Sequence, residues 1–147
     1  MSNLAVQFFA SFSRLEYALK SIPAFRDGNE SGVEPNWDRF AQSPNIAPLF
    51  LQLAADARIG YLIDAPPKKR IVRNGSLDWK VMPKPHDMCS LLVAMRRARN
   101  NLFHGDKANP NLSRNVDLFV ACLAVLDALV AADADIRAAY EINQEMS

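Results

Sequence analysis

The stretch from Leu118 to Ala132 constrains the fold of this chain more than any other part of the sequence. Its residues are apolar on nearly every face of a helix, and Asp127 is the one charged interruption. A helix that is hydrophobic all round is stable only where other elements cover it on several sides. The sequence therefore predicts that this helix lies at the centre of a helical bundle.

Other segments have apolar residues at spacings of three and four, which is typical of amphipathic helices. A short helical turn is predicted over residues 37–42, because Asn36 is a favourable N-cap residue. The long helical segments, including the one that holds the central stretch, are residues 3–21, 44–61, 86–104 and 111–140.

Two segments interrupt the helical pattern. Residues 26–35 are polar and contain Gly28 and Gly32, which predicts a loop. Residues 70–81 hold Asn74-Gly75 between short β-branched and aromatic runs, the strongest local signal for a hairpin. A hairpin of this size is unstable alone and must pack on the helices. The predicted fold is all-α, an up-and-down bundle of four to five helices with a small β-hairpin insertion near residues 70–81.

Size and composition set the broad class. The 147 residues suit one domain, residues 1–147, and the formal net charge of +1 gives no global attraction to nucleic acid or membrane. Cys89 and Cys122 belong to no clustered ligand pattern, so we expect two buried thiols, no metal and no cofactor. The first residues lack the features of a signal peptide, and the longest apolar run, residues 118–126, is short for a bilayer. We expect a cytoplasmic protein with no membrane partner.

One position on the third long helix breaks its apolar stripe. Arg99 stands between Met95 and Leu102, where the periodicity favours a leucine. An inward-aimed cation is costly in a small helical domain. The guanidinium is always charged, and its fork of donors suits phosphate oxygens or a carboxylate.

The residues that follow Arg99 are polar up to the end of this helix. Asn100 and Asn101 are poor helix-interior residues and favour a polar environment. His104 falls in the last turn, where the helix dipole favours imidazolium, and Gly105 suits the left-handed residue that ends a helix. Five residues rotate the helix by roughly 140°, so the arginine and the histidine meet only through the terminal turn or across a dimer axis.

This motif resembles a known family. Arg99, four residues and His104, with Asn100 after the arginine and Gly105 after the histidine, resemble the R-x(4–6)-H motif of HEPN (higher eukaryotes and prokaryotes nucleotide-binding) domains. Residues 12–20 also resemble the first helices of that family. The resemblance covers most of the chain as architecture, but only these two short stretches as sequence.

The resemblance implies a metal-independent endoribonuclease. In that chemistry the RNA 2′-hydroxyl attacks the adjacent phosphate and leaves 2′,3′-cyclic phosphate and 5′-hydroxyl ends. His104 would act as general base or acid, because imidazole titrates near neutral pH. Arg99 would stabilise the transition-state charge, and Asn100 would orient the histidine or donate to a phosphate oxygen. It also implies a homodimer with a composite site, and a toxin–antitoxin or antiviral-defence context in which an antitoxin is a candidate partner.

The chain departs from that family at one position. Many HEPN toxins paired with a nucleotidyltransferase antitoxin carry a tyrosine two residues after the histidine, where this chain has Asp106. This weakens the case for control by nucleotidylation and leaves the cleavage chemistry untouched. The carboxylate could pair with Arg99 or Lys107, or be solvated.

Basic residues are distributed unevenly. Arg96 and Arg97 precede the motif by one turn and Lys107 follows it, so these three are candidate RNA-binding residues. More cations surround the predicted hairpin, while acids concentrate in the last helix, so the net charge hides an asymmetry. The hairpin cations either help to form a cleft for RNA phosphates or are a solvated charged loop. Trp79 and Phe103 are candidates for base stacking, although Trp79 could simply anchor the hairpin.

Other interpretations stay open. Arg99 could be a structural arginine paired with Asp127 or Glu16, and His104 could be an ordinary helix-terminal residue. The chain could also be a non-catalytic HEPN-like module that binds a nucleotide, an RNA or a protein partner, or a purely structural bundle.

Overall fold

A computed structural model describes residues 3–103 and 113–146. Within these ranges the chain is mostly helical, with two small antiparallel hairpins. The α-helices are α1 (Asn3–Ser21), α2 (Trp37–Gln42), α3 (Leu49–Ala54), α4 (Gly60–Asp64), α5 (Met88–Phe103), α6 (Ser113–Ala132) and α7 (Ala134–Met146). Single 3₁₀ turns lie at Pro23–Phe25 and Ala57–Ile59, and the strands are β1 (Arg26–Asn29), β2 (Gly32–Pro35), β3 (Lys69–Arg73) and β4 (Ser76–Lys80).

The central position predicted for the most apolar helix is confirmed. α6 packs against α1, α4, α7 and the 3₁₀ turn at Ala57–Ile59. Burial of apolar surface in these contacts is the largest favourable contribution to the stability of such a bundle. The α6 side chains in the core include Leu118, Phe119, Cys122, Val125, Leu126 and Leu129.

α6 also has the length and composition of a membrane span. The window Asn115–Ala132 has 18 residues with a mean hydropathy of 2.0, because flanking residues extend the apolar run. Half of this window is buried inside the fold. Core helices of soluble proteins meet the same criterion, so this property does not assign a location.

Two predicted helix starts are confirmed by their caps. The Asn36 side chain accepts a 2.9 Å hydrogen bond from the Arg39 amide at the start of α2. Before α5, Asp87 Oδ1 accepts a 2.8 Å bond from the Ser90 amide, while Ser90 Oγ accepts one from the Asp87 amide. This reciprocal arrangement satisfies donors that the first turn of a helix leaves unpaired.

The predicted count of four to five helices is wrong, because two aspartates restart helices inside continuous apolar patterns. Asp56 accepts from the Arg58 amide and separates α3 from the 3₁₀ turn before α4, so residues 44–61 are not one helix. Asp133 Oδ1 accepts from the amides of Asp135 and Ile136, both at 3.0 Å, and starts α7 directly after α6. The described residues therefore form seven α-helices.

The predicted hairpin near residues 70–81 is confirmed. β3 and β4 pair with Arg70 opposite Trp79 and Val72 opposite Leu77. Asn74 and Gly75 connect the strands with φ values of 51° and 79°. Both lie in the left-handed region that a two-residue hairpin turn requires, which explains the Asn-Gly pair.

The predicted loop at residues 26–35 is wrong, because β1 and β2 form a second hairpin there. A Cβ on Gly28 would lie 2.8 Å from the Gly32 carbonyl oxygen, so this close approach requires glycine. Arg39 of α2 fixes the hairpin by donating to the Asp27 carboxylate at 3.0 Å and to the Arg26 carbonyl, and it also donates to the Ala24 carbonyl just before β1 at 2.9 Å. Every residue of both strands except Pro35 is exposed, so no alternation of apolar and polar residues marks them in the sequence.

Candidate functional site

The candidate residues that the structure describes occupy the last two turns of α5. This helix buries an apolar stripe that includes Leu91, Met95 and Leu102. Arg99 lies between the last two of these along the stripe and is half-buried, whereas Asn100 is exposed. Arg99 therefore lies at the border between core and solvent.

Arg99 is directed toward α1. Its guanidinium carbon lies 5.5 Å from the centre of the Phe12 ring, and Phe12 is buried. Its Nη1 donates a 3.2 Å hydrogen bond to Asn100 Oδ1. The face of an aromatic ring attracts a cation, so Phe12 provides a favourable apolar surface for a charge that would otherwise be costly to bury.

Arg96, one turn earlier, makes a parallel contact. Its guanidinium carbon lies 5.3 Å from the centre of the Trp37 ring, and Trp37 stacks on Phe12 with centroids 5.4 Å apart. Two arginines of α5 therefore cover a stacked ring pair from α1 and α2. Burial lowers the pKa of Arg96, against the opposing charges of Asp38 and Glu16, but a guanidinium stays protonated at neutral pH.

A cleft of about 300 Å³ lies between α5 and β3. We call it the α5–β3 cleft. Two cations come from each wall, and none of its described lining residues is a carboxylate. Burial lowers the pKa of Arg97, because a partly desolvated guanidinium loses hydration. The lining residues are Lys69, Arg70, Val93, Arg96, Arg97, Asn100 and Asn101.

Hydrogen bonding and stacking hold the walls of the α5–β3 cleft. Asn101 is buried, and its Nδ2 donates a 3.0 Å hydrogen bond to the Lys68 carbonyl oxygen just before β3. This bond ties the start of the hairpin to α5. On the hairpin itself, the Arg70 guanidinium carbon lies 4.5 Å from the centre of the Trp79 ring, which restricts the side chain.

The structure brings together some of the predicted site residues. Arg96, Arg97 and Asn100 line the α5–β3 cleft, while Arg99 lies beside it on the side that faces α1. His104 and Lys107 fall outside the described residues, as do Gly105 and Asp106.

Sequence reasoning missed that Lys69 and Arg70 line a cleft together with residues of α5. Their positive charge was visible as a cluster around the hairpin, but nothing in the pattern indicated which helix the hairpin packs on. Asn101 is the residue that joins the hairpin to α5, since a buried amide in a helix needs a hydrogen-bond partner. Its partner is a backbone carbonyl, which no sequence pattern specifies.

Glu16 and Asp127, the two predicted acidic partners of Arg99, influence the pKa values of other arginines. Glu16 is close enough to Arg96 to oppose the pKa shift that burial causes there. Asp127 is exposed on α6. The pKa of Arg58 is raised mainly by its hydrogen bond with Asp56, and the charge of Asp127 adds to this effect.

The remaining reactive groups are separate from the α5–β3 cleft. Cys122 is fully buried in α6, and burial raises the pKa of its thiol. Cys89 is half-buried near Gln42, whose Nε2 lies 3.9 Å from the sulfur. Over residues 3–103 and 113–146, no group of three or more His, Cys, Asp or Glu side chains could hold a metal ion.

Comparisons with protein-family models, with curated proteins and with solved structures found no match to this chain.

Proposed function

We propose that this protein is a metal-independent endoribonuclease of the HEPN type. The observation that carries the proposal is the clustering of Arg96, Arg97 and Asn100 in one cleft, directly beside Arg99 of the R-x4-H motif. Keeping several partly desolvated cations close together costs folding free energy, and such a cluster is suited to bind a polyanion.

The proposed reaction is an internal transesterification. The 2′-oxygen forms a bond to phosphorus, the bond from phosphorus to the 5′-oxygen breaks, and a 2′,3′-cyclic phosphate remains. The His104 imidazole takes the proton of the 2′-hydroxyl, and an acid protonates the leaving 5′-oxygen. In a homodimer, the motif of the second copy is the candidate for that acid.

Arg99 and Asn100 have complementary roles in this proposal. The guanidinium offers a planar set of donors to the non-bridging oxygens, whose negative charge grows in the transition state. The hydrogen bond between the two side chains and the contact with Phe12 support a fixed position for the guanidinium. A pre-positioned cation stabilises the transition state without reorganisation during the reaction.

The wider context of the proposal follows from the family resemblance. It includes an up-and-down arrangement of the long helices, a homodimer with a composite groove, and a cytoplasmic role in a toxin–antitoxin or antiviral-defence system. Asp106 in place of tyrosine argues against control by nucleotidylation at that position.

The test is cleavage of a mixed-sequence RNA in excess EDTA, with analysis of the product ends. The parent protein should give cyclic-phosphate ends, whereas His104→Ala and Arg99→Ala should give none while keeping their helical circular dichroism. His86→Ala is the matched control, because His86 is the other histidine of the chain and is exposed before α5. Unchanged cleavage by both motif variants would overturn the assignment.

One observation favours a second candidate function. Arg99 rests on the Phe12 ring and lies beside the α5–β3 cleft, which is the geometry of an arginine that holds two helices together. In that case the chain is a non-catalytic HEPN-like module that binds a nucleotide, an RNA or a protein partner. RNA binding without a cyclic-phosphate product at any pH between about 5 and 9 would favour this candidate.

A further inference from the structure

We infer that the α5–β3 cleft is a binding site for the backbone of single-stranded RNA, in which the β3–β4 hairpin forms one wall and holds nucleotides that flank the scissile phosphate. The inference rests on the proposed function for the identity of the polymer. It assigns a role to Lys69 and Arg70, which lie outside the R-x4-H motif.

The charges of the cleft point to an extended anion. Lys69 and Arg70 line the cleft from β3, and Arg96 and Arg97 line it from α5, so both walls carry positively charged residues. The carboxylates that act on Arg96 belong to Asp38 and Glu16, which are not among the described lining residues. Opposed pairs of cations can contact successive phosphates of one strand, since phosphate contacts dominate the affinity for nucleic acid.

The size of the cleft favours a single strand. A volume of about 300 Å³ lies at the lower end of the range for ligand cavities, so the cleft suits a short segment of one strand between its walls. The hydrogen bond from Asn101 to the Lys68 carbonyl keeps the walls at a fixed separation. A preformed cleft binds more tightly, because less side-chain and backbone freedom is lost when the strand enters.

The hairpin also offers an apolar surface next to its cations. Val72 and Leu77 pair across the strands on the same face as Arg70 and Trp79, since side chains two residues apart share a face. Val72 is 69% exposed and Leu77 is 67% exposed. A surface of this kind suits unstacked bases, whereas the bases of a duplex are covered by their neighbours.

The experiment measures binding of a labelled 2′-O-methyl RNA as a function of salt concentration. This probe lacks the attacking hydroxyl, so binding is read without cleavage. Lys69→Glu, at an exposed strand position, should weaken binding about tenfold at low salt and reduce the slope of log K against log salt by about 0.7 for each lost phosphate contact. The double variant Lys69→Glu/Arg70→Gln should weaken binding further, and thermal unfolding verifies that each variant is folded.

Arg137→Glu is the matched control. It makes the same charge reversal on α7, which packs on α1 and α6, and a glutamate is favourable in the first turn of that helix. Its affinity for the probe should stay within twofold of the parent value. Equal losses in Lys69→Glu and Arg137→Glu would overturn the inference, because non-specific attraction would then explain the binding.

Competition distinguishes the other occupants. A mononucleotide or poly-glutamate that displaces the probe as effectively as unlabelled RNA would overturn the inference in favour of a nucleotide or an acidic protein segment. Cleavage by the parent without any effect of Lys69→Glu on binding would leave the proposed nuclease intact and sink the inference. Binding that depends on Lys69 but is accompanied by no cleavage would support the cleft as an RNA-binding site and overturn the proposed nuclease.

Discussion

The guanidinium of Arg99 lies 5.5 Å from the centre of the Phe12 ring, so a contact between a cation and an aromatic face joins α5 to α1. At this position of the apolar stripe a leucine would have packed on the same ring. The arrangement keeps a charged side chain at the border of the core, where its donors are held close to the α5–β3 cleft.

Phe12→Leu tests this contact. The substitution keeps an apolar side chain but removes the ring face, and it should lower the free energy of unfolding by about 1–3 kcal/mol. In a double-mutant cycle with Arg99→Ala, the coupling measured by denaturant unfolding should be about 0.5–1 kcal/mol. Strictly additive effects would show that the ring does not stabilise the cation.

Asn101→Ala tests the connection between α5 and the hairpin. Loss of the buried bond to the Lys68 carbonyl should cost about 1–2 kcal/mol and speed hydrogen exchange of the β3 and β4 amides. Asn100→Ala, at the exposed neighbouring position, should change stability by less than about 0.5 kcal/mol. Similar effects of both substitutions would contradict the structural role given to Asn101.

Gly75→Ala tests whether the turn of the β3–β4 hairpin matters for binding. Gly75 has a φ of 79°, where a Cβ is strained, so the variant should lose about 1 kcal/mol and bind the 2′-O-methyl RNA more weakly. Gly60→Ala is the control, since a Cβ there would meet nothing closer than Asp64 Oδ2 at 3.9 Å in a helix that alanine favours. Equally weak RNA binding by Gly60→Ala would show that the effect of Gly75→Ala does not come from the hairpin turn.

Asp87→Ala tests the cap of α5 and its pH dependence. Hydrogen bonds from Ser90 lower the pKa of Asp87, so the folded state favours the carboxylate. The stabilisation is present above the unfolded pKa of about 4 and is lost as the pH falls through the lower folded pKa. The variant should be about 1 kcal/mol less stable at pH 7, with a smaller difference from the parent in acid. Denaturant unfolding across this range is the measurement, and Glu34→Ala on exposed β2 should give no such trend.

Local signals made part of this fold predictable. α1, α2 and the β3–β4 hairpin follow from apolar periodicity, the Asn36 cap and the Asn74-Gly75 turn. Asp56 and Asp133 divide continuous apolar patterns, because their carboxylates can bond to nearby backbone amides instead of allowing the helix to continue. The surrounding packing decides between a cap and a continuous helix, so the sequence alone does not reveal these breaks. The β1–β2 hairpin has no buried face, so periodicity could not reveal it.

The candidate site was predictable to a different extent. The unusual position of Arg99 and the cations around it can be identified from the helical pattern alone. That Lys69 and Arg70 line one cleft with Arg97 could not be predicted, because it depends on where a distant hairpin packs. Contacts between elements far apart in sequence are set by tertiary packing, which short motifs do not encode.

The two tryptophans of the chain lie in different surroundings: Trp37 is buried beneath Arg96, and Trp79 is half-exposed on the hairpin beside Arg70. The protein therefore carries two intrinsic fluorophores, one inside the core and one next to the α5–β3 cleft. With Trp79 replaced by phenylalanine, the remaining emission reports on the integrity of the ring pair. With Trp37 replaced instead, the emission of Trp79 reports on the hairpin. Folding of the core and binding in the α5–β3 cleft can therefore be observed separately without any attached dye.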